Sequence, residues 1–298
     1  MNRFYIILLI AITTPLIVVA NDKPSKEQLN QVSGNKAIKP CDTADTCYKQ
    51  GITLLTLNKQ QEAITAFNLA IKYRADFADA YFSKAILLAE LGKWPEAITA
   101  FDFVIKYQPD NAEVYYLKGA GLVDLGKYQE ALGVLDLAIK YNPKSADAYY
   151  TKAVALINLS KWSEAIGSLD LVTKYKRDFA DAYSSKAFAS INLNQFQDAL
   201  DSINLAIKYK VDATQYHKKG MILGELSKWQ EAIEAYDLAI KYKPDFAEAY
   251  YSKGVALGKI EKWREAIEAY DLAIKYKPDF TSAITIKNII LKEMSDKL

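Results

Sequence analysis

The chain has 298 residues, 51% of them hydrophobic and 25% charged, a balance that fits a folded protein and argues against global disorder. Lys and Arg number 38 against 36 Asp and Glu, so a formal charge of +2 gives no sign of a general binder of nucleic acid or other polyanions. With one histidine, His217, and two cysteines, Cys41 and Cys47, a Cys/His zinc cluster or a histidine-bearing catalytic triad is very hard to build, and no cofactor is expected.

In chain order the first element is residues 1–20, MNRFYIILLIAITTPLIVVA. Arg3 precedes an apolar run from Phe4 to Val19, and Val18-Val19-Ala20 supplies small exit residues. That is the pattern of a signal peptide. An uncleaved anchor is the alternative, although the run is slightly short for a spanning helix and is broken by Pro15. Export is therefore expected, with the periplasm of a bacterium suggested by the Lys-, Ile-, Asn- and Tyr-rich usage. Any contact with a membrane is expected only through this segment. Residues 21–43 are polar, show no hydrophobic period, and read as a flexible linker. Cys41 and Cys47 stand where it ends. In an exported chain they could close a short disulfide that pins the linker to the first helix, or they could remain two thiols without a role; the spacing leaves both open.

Beyond residue 43 the chain repeats itself. EAIEAYDLAIKYKPDF occurs at 231–246 and again at 265–280. Ala63, Ala97, Ala131, Ala165, Ala199, Ala232 and Ala266 mark one position of the repeat, at spacings of 34, 34, 34, 34, 33 and 34. A fixed period of this length means a stacked array and not two globular domains. Each unit splits into two amphipathic helices. Small residues at positions 8, 20 and 27 of the repeat let the two backbones approach closely. Asn58, Gly92, Gly126 and Asn194 sit just past a first helix, where a left-handed stop residue belongs. Asp76, Asp110, Asp178, Asp245 and Asp279 are expected as N-caps of the next first helix, with Glu113 and Glu248 at capping-box spacing.

The repeat resembles the tetratricopeptide (TPR) family. In 247–280 the signature positions hold Tyr250, Gly254, Leu257, Ala266, Tyr270, Ala273 and Pro278; in 112–145 they hold Tyr115, Gly119, Leu122, Ala131, Leu135, Ala138 and Pro143. The match runs through 44–77, 78–111, 112–145, 146–179, 180–212, 213–246 and 247–280, or 237 of 298 residues. The resemblance implies an all-α fold: an α-solenoid of seven tandem helix-turn-helix repeats forming a right-handed superhelix. A C-terminal capping helix over 281–298 follows, with Ile284, Asn288 and Leu291 in phase before the sequence turns polar. One departure recurs. Position 7, usually apolar in the family, is Lys84, Lys118, Lys152, Lys186, Lys219 and Lys253, whose stems can lie on apolar neighbours while the charge stays wet.

The resemblance also implies a concave groove lined by first helices. Position 5 brings to it Tyr48, Phe82, Tyr116, Tyr150, His217 and Tyr251; position 9 brings Phe188 and Met221; position 2 adds an acidic edge of Asp79, Glu113, Asp147, Asp181 and Glu248. Two readings stand side by side. The aromatics bind an extended or helical peptide with apolar anchors and basic residues, or they pack on the neighbouring repeat; the acids attract such a peptide, or they serve the helix dipole. The clamp by which some relatives grip a terminal carboxylate is missing, since position 9 is apolar throughout. The Lys-Tyr pairs at positions 29 and 30 read as helix-end packing and a solvated face. The four tryptophans read as packing at the turn, and His217 as a polar stand-in for tyrosine. No Gly-rich phosphate loop, nucleophile elbow or metal-ligand spacing is present. The expected function is a non-catalytic protein-interaction scaffold, with a self-associating structural protein of the cell envelope as the alternative.

Overall fold

In the computed structural model the described residues are 41–295. The signal-peptide reading, and the linker reading for 21–40, lie outside them. Fifteen helices follow one another: α1 Ala44–Thr56, α2 Gln60–Tyr73, α3 Ala78–Glu90, α4 Trp94–Tyr107, α5 Ala112–Asp124, α6 Tyr128–Tyr141, α7 Ala146–Asn158, α8 Trp162–Tyr175, α9 Ala180–Asn192, α10 Phe196–Tyr209, α11 Ala213–Glu225, α12 Trp229–Tyr242, α13 Ala247–Lys259, α14 Trp263–Tyr276 and α15 Thr281–Ser295. The chain divides after Leu159 into two compact units, the first holding α1–α7 and the second α8–α15. Each is a run of antiparallel helix pairs.

Small residues set the pairing distance. A Cβ on Gly119 would stand 2.7 Å from Leu135, and one on Gly254 2.7 Å from the Tyr270 ring, so position 8 of a first helix touches position 24 of its second. First helices stop through a reversal of backbone sense. Gly92 has φ +72°, its N–H bonds Ala89 O at 2.9 Å, and Lys93 N–H bonds Leu88 O at 2.8 Å, which satisfies carbonyls the helix leaves open. Asn58, Gly126 and Asn194 do the same, and Ser160, Ser227 and Glu261 adopt this conformation without the glycine or asparagine that favours it.

One expectation needs correction. The aspartates at position 33 are not the N-caps. The cap is one residue later: Asn111 and Ser145 accept from Val114 N and Ala148 N, while Phe77, Phe179 and Phe246 offer no side-chain bond. In those cases the Asp main-chain carbonyl closes the turn, as when Ala78 N donates to Asp76 O at 2.9 Å. A full capping box occurs instead at Thr43 and Thr46, where α1 begins. Helix α15 carries the phase expected of one more first helix. It is seated through Ala283, Ile286, Ile290 and Met294, whereas Ile284, Asn288 and Leu291 face solvent. Those three occupy the side that in earlier pairs receives a second helix, and among the described residues none follows.

Candidate functional site

The position-5 side chains lie in one recurring seat. Tyr48 packs on Phe67 and Phe77, ring centroids 5.9 and 5.1 Å away, and its hydroxyl lies 3.3 Å from Ser83 Oγ. His217 packs on Tyr236 and Phe246 at 5.7 and 5.1 Å, with Nε2 3.0 Å from Ser252 Oγ. Tyr251 meets Tyr270 and Phe280 at 5.9 and 4.9 Å. Phe82 lies beside Phe101, and Tyr150 is half-buried. Tyr116 is buried and bonds Thr151, and burial drives its phenol upward from the usual value of 10. These rings are wedged between their own second helix and the entry to the next repeat. Burial likewise holds the His217 imidazole below its ordinary value.

A matched polar choice accompanies this seat. Position 5 bonds position 6 of the next repeat in Tyr48–Ser83, Tyr116–Thr151, Ser184–Lys218 and His217–Ser252. Where position 5 is Phe82, with no polar atom to offer, the residue 35 places on is the apolar Leu117.

The acids Asp79, Glu113, Asp147, Asp181 and Glu248 all occupy the first turn of their helices. Asp79, Glu113 and Glu248 are exposed; Asp147 and Asp181 are half-buried. Glu248 is held below the usual carboxylate range, first by its own backbone N–H and then by Lys277, whose Nζ is 3.2 Å away. Although the Glu113 residue is exposed, protein atoms around its carboxyl displace part of its water and raise it from the usual carboxylate value.

Position 9 is more covered in the first unit, where Ile86 and Ala120 are buried, at 7% and 2% exposure, and Ile52 and Val154 are half-buried. In the second, Phe188, Met221 and Ile289 stand 47%, 50% and 51% exposed, with Val255 half-buried between the last two. Trp162 meets Phe188 edge-on at 5.8 Å, which limits the ring's freedom. At the other end of the chain Cys41 and Cys47 form a disulfide, with Cys47 buried against Ala70 and Ala80. Among the described residues no group of His, Cys, Asp and Glu gathers as a metal site, and no helix is long and apolar enough to cross a membrane.

Models of the tetratricopeptide repeat match residues 48–102, 220–261 and 247–280, and the model of anaphase-promoting complex (cyclosome) subunit 3 matches 90–172. The chain is a tetratricopeptide repeat protein. Its α-solenoid fold recurs in the C-terminal part of a TPR repeat-containing protein from Cytophaga hutchinsonii, at a TM-score of 0.69 and 16% identity over 80% of this chain and 98% of that one. YrrB, a TPR protein with an unusual peptide-binding site, aligns at 0.58 and 23% identity over 63% and 98%. MamA from Desulfovibrio magneticus RS-1 aligns at 0.54 and 21% identity over 56% and 94%. No curated protein matches in sequence.

The position-7 lysines of this TPR array have partners that the sequence reading missed. Lys118 reaches Asp102 at 2.5 Å, Lys152 Asp136 at 2.6 Å, Lys186 Asp170 at 2.5 Å and Lys253 Asp237 at 2.6 Å; Lys287 pairs with Asp271. Each spans a repeat boundary, from position 7 back to position 25. The signal was present at a separation of 16 residues. It lapses in two places: Asn68 and Asn204 hold position 25 ahead of Lys84 and Lys219. Burial lowers the Lys84 ammonium from its ordinary value.

On the remaining edge the position-30 tyrosines close helix ends. Tyr141 stacks on Tyr115, Tyr209 on Tyr183, Tyr242 on Tyr216 and Tyr276 on Tyr250, at 5.5 to 5.7 Å. Trp94 is buried against Gly121, where a Cβ would stand 2.6 Å from the indole; Trp263 packs at its turn against Gly258, where a Cβ would stand 3.4 Å from the ring, and is 41% exposed.

Proposed function

We propose that this protein is a non-catalytic scaffold that recognises a peptide or protein segment along the first-helix face of its second unit. The observation that carries this reading is the row Phe188, Met221, Val255 and Ile289, one residue per repeat, three of them half exposed. Large apolar side chains repeated along one surface are costly to leave in water and are the usual material of binding anchors. Asp181 and Glu248 lie on the same first helices and favour a partner with Lys or Arg beside its apolar anchors. The position-5 aromatics are part of the framework behind this row and not its contact surface. The unusual peptide-binding site described for YrrB supports the same class of function. The Cys41–Cys47 disulfide suits an oxidising compartment and supports export, with the periplasm as destination.

The test is selection of peptides from a random display library on the purified protein, followed by affinity measurement. Selected peptides should carry apolar anchors with basic residues. The double change Phe188→Ser and Met221→Ser should weaken them at least about tenfold, while Lys241→Ser on the opposite edge should not. Circular dichroism should confirm that the helices survive. Peptides bound equally by all three proteins would overturn the reading.

A further inference from the structure

The passage from α10 to α11 lacks, one after another, the devices that join the other repeats. Elsewhere the link from a second helix to the next first helix closes as a turn. Phe77 N–H bonds Arg74 O at 3.2 Å, Asn111 N–H bonds Gln108 O at 3.3 Å and Phe246 N–H bonds Lys243 O at 3.1 Å; the links before Ala146, Ala180 and Thr281 close in the same way. Between α10 and α11 the link is only Lys210, Val211 and Asp212, one residue too short for that turn, and Val211 stands 52% exposed.

The side chains on either side depart from the array as well. Ser184 stands where Tyr48, His217 and Tyr251 wedge a ring between their own second helix and the entry to the next repeat, so no ring bridges this junction. Its hydroxyl instead accepts from Lys218 Nζ, 2.9 Å away, on an exposed residue. Asn204 holds the place of the carboxylate that Lys219 would meet. Position 11 is a buried leucine in the other six repeats, as at Leu156 and Leu223, but Ser190 in α9. Position 3 is buried as Ala80, Ala148, Ala182 and Ala249, but is Gln215 in α11. Ser190 Oγ and Gln215 Oε1 are both buried without a hydrogen-bond partner. Missing leucine methyls and unpaired buried polar atoms each weaken the packing around them.

The next junction, from α12 to α13, has every one of these devices. The turn closes at Phe246, His217 rests on Phe246 and bonds Ser252, Lys253 reaches Asp237, and Leu223 and Ala249 are buried. A junction short of turn, ring, ion pair and apolar filling opens at a lower free energy than its neighbours, and hinges are a few such residues between better-packed bodies. Phe188 lies on α9 and Met221 on α11, so the break falls between two members of the exposed row. Met221 and Val255, by contrast, lie on helices joined by the His217–Ser252 bond.

We propose that Lys210–Asp212 is a hinge within the second unit, about which α8–α10 and α11–α15 turn as two bodies, and that a segment bound across Phe188 and Met221 closes it. The closing half of this proposal rests on the groove reading above. A partner that straddles both anchors binds best at one separation of them, and so draws the population to that arrangement.

Hydrogen exchange of the full chain, read by mass spectrometry, tests the hinge without a partner. Amides in the last turn of α10 and the second turn of α11 should exchange at least about tenfold faster than those at the same positions of α12 and α13. Ser190→Leu, Asn204→Asp and Gln215→Ala together restore what the other repeats carry and should remove most of that difference. If leucine overfills position 190, Ser190→Ala still removes the unpaired hydroxyl and takes its place in the set. Equal exchange at the two junctions, or a difference that the restored variant keeps, would overturn the hinge. Peptides selected on the row should then slow exchange at α10–α11 by at least about threefold and leave α12–α13 less affected. Peptides that need Phe188 and Met221 but spare the junction would overturn closure while the groove reading stands. Failure to select any peptide would remove the groove reading and closure together, with the hinge decided by the first comparison.

Discussion

Lys186 sets its ammonium 2.5 Å from Asp170 Oδ1, joining the first helix of one repeat to the second helix of the repeat before it. The same contact recurs at Lys118–Asp102, Lys152–Asp136 and Lys253–Asp237, so the charged residue at a position the family keeps apolar is a rung between repeats. The lysine stem is mostly covered while the carboxylate is half exposed, which places each rung in the range of surface pairs, about 0.2–1 kcal/mol. Asn204→Asp should supply the carboxylate missing opposite Lys219. Stability to urea should rise by about 0.3–1 kcal/mol, and the gain should shrink in high salt.

Glycine positions should divide by sign. Gly254→Ala puts a methyl into the Tyr270 ring and should cost about 1–3 kcal/mol. Gly133 and Gly167 lie within α6 and α8 with nothing inside 4 Å of an added Cβ. Alanine at either should stabilise by about 0.5–1 kcal/mol through helix propensity. Thermal unfolding of the three variants decides the matter, and a common sign would refute the packing account.

Glu261 ends α13 at φ +62°, a left-handed conformation that crowds its Cβ. The equivalent turn after α3 uses Gly92 with open space around it. Glu261→Gly should therefore stabilise the protein by up to about 1 kcal/mol. Denaturant midpoints of wild type and variant measure it.

His217 should make stability depend on pH. Burial holds its imidazole below 6.5 in the folded state; Glu248 nearby pulls the other way and Lys218 adds to the lowering. The unfolded chain thus binds the proton more tightly, and this contribution to stability, complete above pH 6.5, is lost as the pH falls through the folded value. Tyr48 occupies the equivalent seat with a hydroxyl on Ser83. His217→Tyr should accordingly flatten the loss of stability between about pH 7 and pH 5 relative to wild type. Parallel slopes for the two proteins would show that His217 is not the group responsible.

The helical pairs were legible because they rest on local rules. Position 8 must be small wherever position 24 is large, and a residue tolerant of positive φ must end the first helix. Gly119, Gly254, Gly92 and Asn58 state those rules openly. The candidate surface was harder to read. The family resemblance places both Tyr116 and Met221 on the groove face of first helices, yet one is buried and the other half exposed. A repeat position records direction on one helix and not what the adjoining repeat lays over it.

The amino-acid sequence by itself determined the repeat, its period, the two helices of each unit and the small residues that set their separation, since these follow from contacts between neighbours in the chain. The tertiary structure alone decided three further matters. It joined Lys186 to Asp170, it left Phe188 and Met221 uncovered while covering Ile86 and Ala120, and it turned Ile284, Asn288 and Leu291 to solvent. Each depends on which surface the next repeat buries, and a near-identical local pattern can be covered in one repeat and left open in another.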